Sequence, residues 1–324
     1  MRKLKVGVIG VGAMGKHHAR VYSEIANAEL VGVADVNEKV AREVAQTYNT
    51  EAFTDYEELL NRGLDAVSIA VPTSLHKDVA LRVAEFGVDM LIEKPIAESL
   101  SSAEKILKAA RREGVKVMVG HIERFNPAVL KLKELILAGE LGEVLTMSSK
   151  RVGPYSPRIR DVGIIIDLAV HDIDTISYLY GERAVSVYAV AGNSFHTNED
   201  YASLLIKFDK NRAGLIETNW LTPKKVRTLT AVGTGGVATL DYIEQSLKIH
   251  KNGEEVEVGV QKREPLRNEL EAFLECVAED KPPEPSGEDG MYVLSVAVSA
   301  ITSYKAGKLV ELDKIELDND RILV

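Results

Sequence analysis

Asp167 and His171 stand four residues apart in a segment whose apolar spacing predicts one long helix over about 163–180. Residues at i and i+4 share a helix face, so the carboxylate can orient or tune the imidazole and leave a base that titrates near neutrality. Lys94, in Glu93-Lys94-Pro95, directly follows a predicted strand at 89–92. An ammonium there can hydrogen-bond a reacting oxygen and stabilise negative charge developing on it. Gly10-Val11-Gly12-Ala13-Met14-Gly15 fits the pattern G-x-G-x-x-G, and Asp35 stands 20 residues after Gly15. A glycine triplet alone is weak evidence, but this one follows a strand signal and opens a helix. In that setting the first glycine permits the tight turn and the second lets the backbone approach a pyrophosphate. The third lets helix and strand pack closely. Asp35 can accept hydrogen bonds from ribose hydroxyls and would repel the 2′-phosphate of NADP, so the dinucleotide expected is NAD.

These groups need elements to hold them. Strand signals at 5–9, 30–34, 65–71, 89–92 and 115–119 alternate with helix signals at about 12–25, 38–48, 74–86 and 101–113. Ser101 is the expected N-cap of the last, with Glu104 three residues on. This alternation predicts a doubly wound parallel sheet, a Rossmann domain, with ligands at the ends of its strands. After about His121 come a helix at 127–137, the long helix at 163–180, and strands at 184–191, 201–208, 214–221, 227–232 and 245–250. Two further helices follow at 267–279 and about 290–306. The fold class is therefore α/β: an N-terminal Rossmann domain over 1–122, and a C-terminal α+β domain over 123–324 with a mainly antiparallel open sheet. The helix at 290–306 is the candidate to pack back on the first domain.

Composition limits the alternatives. At 324 residues the chain suits about two domains, and 45% hydrophobic with 27% charged residues fits a globular protein with sizeable cores. A formal charge of −9 argues against nucleic acid or an anionic membrane as partner. The N-terminal apolar run is too short for a signal peptide, and no stretch approaches a membrane span of about 20 residues. Cys276, the single cysteine, reads as a helix core position and permits no intrachain disulfide, which suits the cytoplasm. No His, Cys and Asp cluster has metal-ligand spacing, and His17 and His18 are expected on the first helix beside the cofactor cleft.

The glycine motif, Val71-Pro72-Thr73-Ser74-Leu75-His76, Glu93-Lys94-Pro95 and Asp167-Leu168-Ala169-Val170-His171-Asp172 together resemble the glucose–fructose oxidoreductase and inositol dehydrogenase family, over residues 4 to about 310. The resemblance implies an oxidoreductase acting on a secondary hydroxyl, in which Lys94, Asp167 and His171 line the reacting carbon. His171 is then the expected proton acceptor, with Lys94 positioning the oxygen. It also implies cofactor contacts from Gly10, Gly12, Ala13, Met14, Gly15, Asp35, Val71, Pro72, Thr73, His76, Glu93 and Lys94, and a cis bond before Pro95. Relatives commonly pair through the second-domain sheet, so a homodimer or homotetramer is expected.

The segment 120–128, Gly120-His121-Ile122-Glu123-Arg124-Phe125-Asn126-Pro127-Ala128, looks like the branch that oxidises the 3-hydroxyl of UDP-N-acetylglucosamine-type sugars. A UDP-linked sugar calls for cations around its diphosphate. Lys150, Arg151, Arg158, Arg160, Lys224, Lys225 and Arg227 are candidates, all expected in or near loops. Substrate contacts are expected from Lys94, Arg124, Asn126, Tyr155, Arg158, Arg160, Asp167 and His171. Asn126-Pro127 reads equally well as a helix start. A dehydrogenase of a free polyol or sugar is the alternative enzyme; a catalytically silent NAD(H)-binding regulator is the alternative of another class.

Overall fold

The computed structural model describes residues 2–155 and 162–312. The described chain forms two compact units. One comprises residues up to 133 with 244–246 and 259–294; the other comprises 134–243, 247–258 and the residues from 295 onward.

The first unit holds six parallel strands: β1 (Leu4–Ile9), β2 (Ala28–Ala34), β3 (Glu51–Phe53), β4 (Ala66–Ile69), β5 (Asp89–Glu93) and β6 (Val117–Gly120). Their order is β3-β2-β1-β4-β5-β6. Helices α1 (Gly15–Glu24), α2 (Glu38–Tyr48), α3 (Tyr56–Leu60), α4 (His76–Glu85) and α5 (Leu100–Glu113) connect them. The order reverses between β1 and β4, which places a ligand crevice at the carboxyl ends of those strands. Ser99, not Ser101, caps α5, its side chain accepting the Ser102 amide at 3.1 Å. The strand β3 and helix α3 escape sequence reading because each is only one turn or a few residues long.

Helix α6 (Pro127–Leu137) follows β6. The first unit regains the chain at α8 (Pro265–Ala278), where Leu266, Leu270, Phe273 and Leu274 join Val21, Tyr22 and Ile25 of α1 in one buried cluster. The first turns of α9 (Gly287–Ala306) belong here too: a Cβ on Gly290 would lie 2.5 Å from Val119. The division is therefore not a single cut after residue 122, because two later segments carry apolar faces that this core buries.

The second unit is built on a nine-stranded sheet. In chain order its strands are β7 (Val144–Pro154), β8 (Ser186–Gly192), β9 (Tyr201–Lys207), β10 (Ala213–Asn219), β11 (Leu221–Gly233), β12 (Gly236–Asp241), β13 (Ser246–Lys251), β14 (Glu254–Val258) and β15 (Val310–Glu311). They lie in the order β14-β13-β12-β11-β7-β10-β9-β8-β15, mostly antiparallel, with β7 and β10 parallel. Helix α7 (Val170–Tyr180) follows an i→i+5 π turn at Ile165–Ala169, so the expected single long helix is two structures.

Candidate active site

In the first unit, Gly10 turns the chain at φ +85°, and a Cβ there would sit 2.7 Å from the Val71 nitrogen. A Cβ on Gly15 would lie 1.8 Å from the Gly10 carbonyl oxygen. Gly12 differs: a Cβ on it would meet nothing within 4 Å. Its lack of a side chain serves no packing of this chain, and it keeps open the approach a pyrophosphate needs. Helix α1 opens beyond Met14 with no side-chain cap and no acidic residue in its first turn, so its amides and positive dipole end suit an anion. At the end of β2, Asp35 accepts the Val11 amide through Oδ2 at 3.0 Å and the Asn37 amide through Oδ1 at 2.9 Å. Two of about four lone-pair sites are thereby used, leaving acceptor capacity for a ribose diol. Lys39 faces Glu43 at 4.0 Å on an exposed helix surface. Val36 is 93% exposed, an apolar surface beside the aspartate. These residues fit NAD, which when bound supplies the hydride acceptor.

The loop after β4 presents Pro72 and Thr73 at the surface. His76 is only 1% exposed, with Nδ1 3.0 Å from the Pro95 carbonyl and Nε2 3.0 Å from the Val71 carbonyl. Burial pushes its pKa down against the pull of these carbonyls. The ring ties the Val71 and Pro95 segments together. After β5, Lys94 is part-exposed between buried Glu93 and Pro95, and the Lys94–Pro95 bond is cis, as the resemblance implies. Glu93 is 9% exposed and bonded to His18.

Arg124 and Asn126 are both held by contacts within the protein. Arg124 is buried, with Nη1 3.4 Å from Asp289 Oδ2. Asn126 is buried, accepts the Ala128 amide at 3.1 Å and donates to Glu123 at 3.3 Å. Of its two readings, the helix-start role is the one its contacts describe.

In the second unit, Asp167 lies in the π turn and His171 in the first turn of α7, both part-exposed. Asp172, next to His171, is fully buried: Arg151 reaches it through Nε at 2.9 Å and Nη2 at 3.2 Å, and Ser149 donates to it at 2.6 Å. The Arg151 guanidinium also lies over the Tyr242 ring, 4.9 Å from its centroid. Arg151 is thus committed to the core rather than to a phosphate. Lys150 pairs with Glu217 at 3.1 Å. Lys224, Lys225 and Arg227 lie on β11, not in loops. Arg158 and Arg160 fall outside the described residues. Tyr155 stacks on His196, centroids 3.7 Å apart, with Trp220 edge-on at 5.4 Å, beside a cleft of about 240 Å³. Among the described residues no cluster of His, Cys, Asp and Glu suits a metal, and no helix is long and apolar enough to cross a membrane. Sequence reading missed the partners of His18 and Arg151, because spacing along the chain carries no signal for contacts between distant strands and helices.

A dinucleotide turn, an acidic ribose acceptor and a lysine after β5 define an NAD-dependent dehydrogenase. Residues 4–121 match the model described as "Oxidoreductase family, NAD-binding Rossmann fold", and residues 129–239 match the "GFO/IDH/MocA C-terminal domain". The chain is 30% identical to UDP-N-acetylglucosamine 3-dehydrogenase of Acidithiobacillus ferrooxidans, covering 94% of this chain and 99% of that one. It is also 30% identical to scyllo-inositol 2-dehydrogenase (NAD(+)) of Bacillus subtilis, covering 96% and 97%. The solved structure of the Acidithiobacillus enzyme superposes with a TM-score of 0.88 at 31% identity over 94% of this chain and 99% of that chain. The chain belongs to the Gfo/Idh/MocA oxidoreductase family, and it is an enzyme of the sugar and polyol dehydrogenase type.

Proposed function

We propose that the enzyme oxidises the 3-hydroxyl of a UDP-N-acetylglucosamine-type nucleotide sugar with NAD. The reading rests on the near full-length similarity to the Acidithiobacillus enzyme. It assigns the His171 imidazole to accept the hydroxyl proton, Asp167 to orient that imidazole, and Lys94 to hold the reacting oxygen while the carbinol hydride leaves. A second reading, oxidation of a free polyol such as inositol, is favoured by one observation: Arg124 and Arg151 are buried in ion pairs and offer no charge to a diphosphate. NADH formation with a panel of UDP-sugars, free sugars and inositols separates the two. Turnover of UDP-N-acetylglucosamine but not inositol supports the first; turnover of inositol alone overturns it.

We also propose a cytoplasmic homo-oligomer joined through the open sheet of the second unit. Tyr188, Leu205 and Leu215 are register neighbours on β8, β9 and β10, and stand 37%, 49% and 42% exposed. A row of large apolar groups on one sheet face suits burial against a copy of itself. Leu205→Glu should lower the mass measured by sedimentation; a wild-type monomer would sink the idea.

A further inference from the structure

His18 lies three residues beyond Gly15 on α1 and is fully buried. Its Nδ1 is 3.0 Å from Ser68 Oγ, which is 2.9 Å from the Tyr22 hydroxyl. Its Nε2 is 3.0 Å from Glu93 Oε1, and Glu93 Oε2 accepts the Lys94 amide at 3.2 Å. An ionised carboxylate can only accept, so Nε2–H of His18 donates to Glu93, and Nδ1 continues the string through Ser68 to Tyr22. The string ends on one carboxylate, which also accepts the Lys94 amide. Stability alone gives little reason for such a string, since buried ionised groups are commonly no more stabilising than apolar ones of similar shape.

We propose that His18 is a positioning residue for the reaction: from the cofactor helix it fixes the Glu93 carboxylate under the Lys94 amide, and so sets where the lysine meets the substrate hydroxyl. The proposal rests on the reading of Lys94 given above. The groups acting on Glu93 are His18 from α1 and Lys94 beside it, and the Glu93 charge in turn acts on His76 from α4. Burial alone would raise the Glu93 pKa, but the His18 hydrogen bond, with the charges of His18 and Lys94, holds it below the ordinary value. Without His18, burial prevails and Glu93 takes up a proton at higher pH, weakening the charge-assisted hydrogen bond it accepts from the Lys94 amide.

The test compares His18→Phe, which keeps a ring but no donor, with His18→Gln, whose amide can still donate to Glu93. Expected for His18→Phe are NAD affinity within about threefold of wild type and KM little changed. Its kcat should fall between about 10- and 100-fold, the loss typical of a displaced reacting group. The acid limb of its pH profile should move to higher pH, and His18→Gln should recover most of the loss. A His18→Phe enzyme with unchanged kcat and pH profile overturns the proposal, as does parallel loss of kcat, NAD affinity and thermal stability in both variants. If His18→Phe does not fold, Tyr22→Phe should show a smaller shift of the same limb, and no shift counts against the proposal. Turnover is read on whichever sugar or polyol the panel identifies, so a wrong substrate does not affect it. An infrared band of protonated carboxyl, appearing at higher pH in His18→Phe than in wild type and absent when Glu93→Gln is added, needs no substrate. Its absence overturns the proposal even if the hydroxyl oxidised is the one named above.

Discussion

Gly12→Ala separates a glycine kept for a ligand from one kept for the fold. The added Cβ meets no atom of the protein within 4 Å, and Gly12 has no positive φ. The cofactor-free protein should therefore unfold within about 0.5 kcal/mol of wild type, as a surface substitution does. The methyl group does occupy the space through which a pyrophosphate approaches the backbone. Forcing it outward weakens at least one hydrogen bond to a charged acceptor, about 1.5–3 kcal/mol. That corresponds to roughly a 10- to 150-fold weaker Kd for NAD. Gly15→Ala is the control: its Cβ would stand 1.8 Å from the Gly10 carbonyl oxygen. The turn must shift, with an expected loss of about 3 kcal/mol or more before any cofactor is added. Denaturant unfolding without NAD and calorimetric titration with it give the two numbers for each variant. If Gly12→Ala binds NAD as wild type does, or loses as much stability as Gly15→Ala, the assignment of the turn is wrong.

Lys94→Ala and His171→Asn should each lower kcat by about 10²- to 10⁴-fold while NAD titration stays within a fewfold, since the change removes proton handling and not the cofactor cradle. Arg151→Ala should cost about 3–5 kcal/mol in urea unfolding, because it leaves Asp172 buried and uncompensated; Arg151→Met combined with Asp172→Leu should regain most of it. The Glu93 carboxylate has a folded pKa below its ordinary value of 4.5, so its contribution is present above that pH and is lost as pH falls through the folded value. Thermal unfolding of wild type and Glu93→Gln should accordingly differ most near neutrality and converge only in acid, as pH falls below the lowered folded value.

The Rossmann unit was largely legible because its strands are continuous apolar runs and its glycine turn is local. Asp35 and Lys94 could be placed from their positions after β2 and β5 for the same reason. β7 was not legible, although it lies inside the second sheet. Its inward positions include Ser149 and Arg151, whose polarity breaks the alternation that marks a half-buried strand. That polarity is satisfied by Asp172 on α7, a partner 21 residues beyond Arg151. Missing the strand also misplaced the cations: Lys150 and Arg151 alternate across the sheet, one to solvent and one to the core, where a loop would have offered both. At Arg124 and Asn126 the segment reads correctly as a helix start, while the ion pair from Arg124 to Asp289 is a contact between distant residues that spacing along the chain does not signal.

The same buried pair bears on the chemistry of the second unit. Successive residues of an α-helix differ by about 100° in direction, so a helix held at Asp172 has its rotation fixed for His171 as well. Arg151 and Ser149 supply that hold from β7, with three hydrogen bonds to one carboxylate. The π turn acts on the other side of the pair. In a regular helix, residue i+4 overshoots residue i by about 40°. A wider i→i+5 turn at Ile165–Ala169 removes part of that overshoot and brings Asp167 nearer to alignment with His171. An ion pair in the core and an over-wide turn are each departures from what apolar packing and helix propensity would choose. Asp172 of the pair and Ala169 of the turn fall within two residues of the imidazole, where local consistency is expected to yield to the geometry of the proposed site.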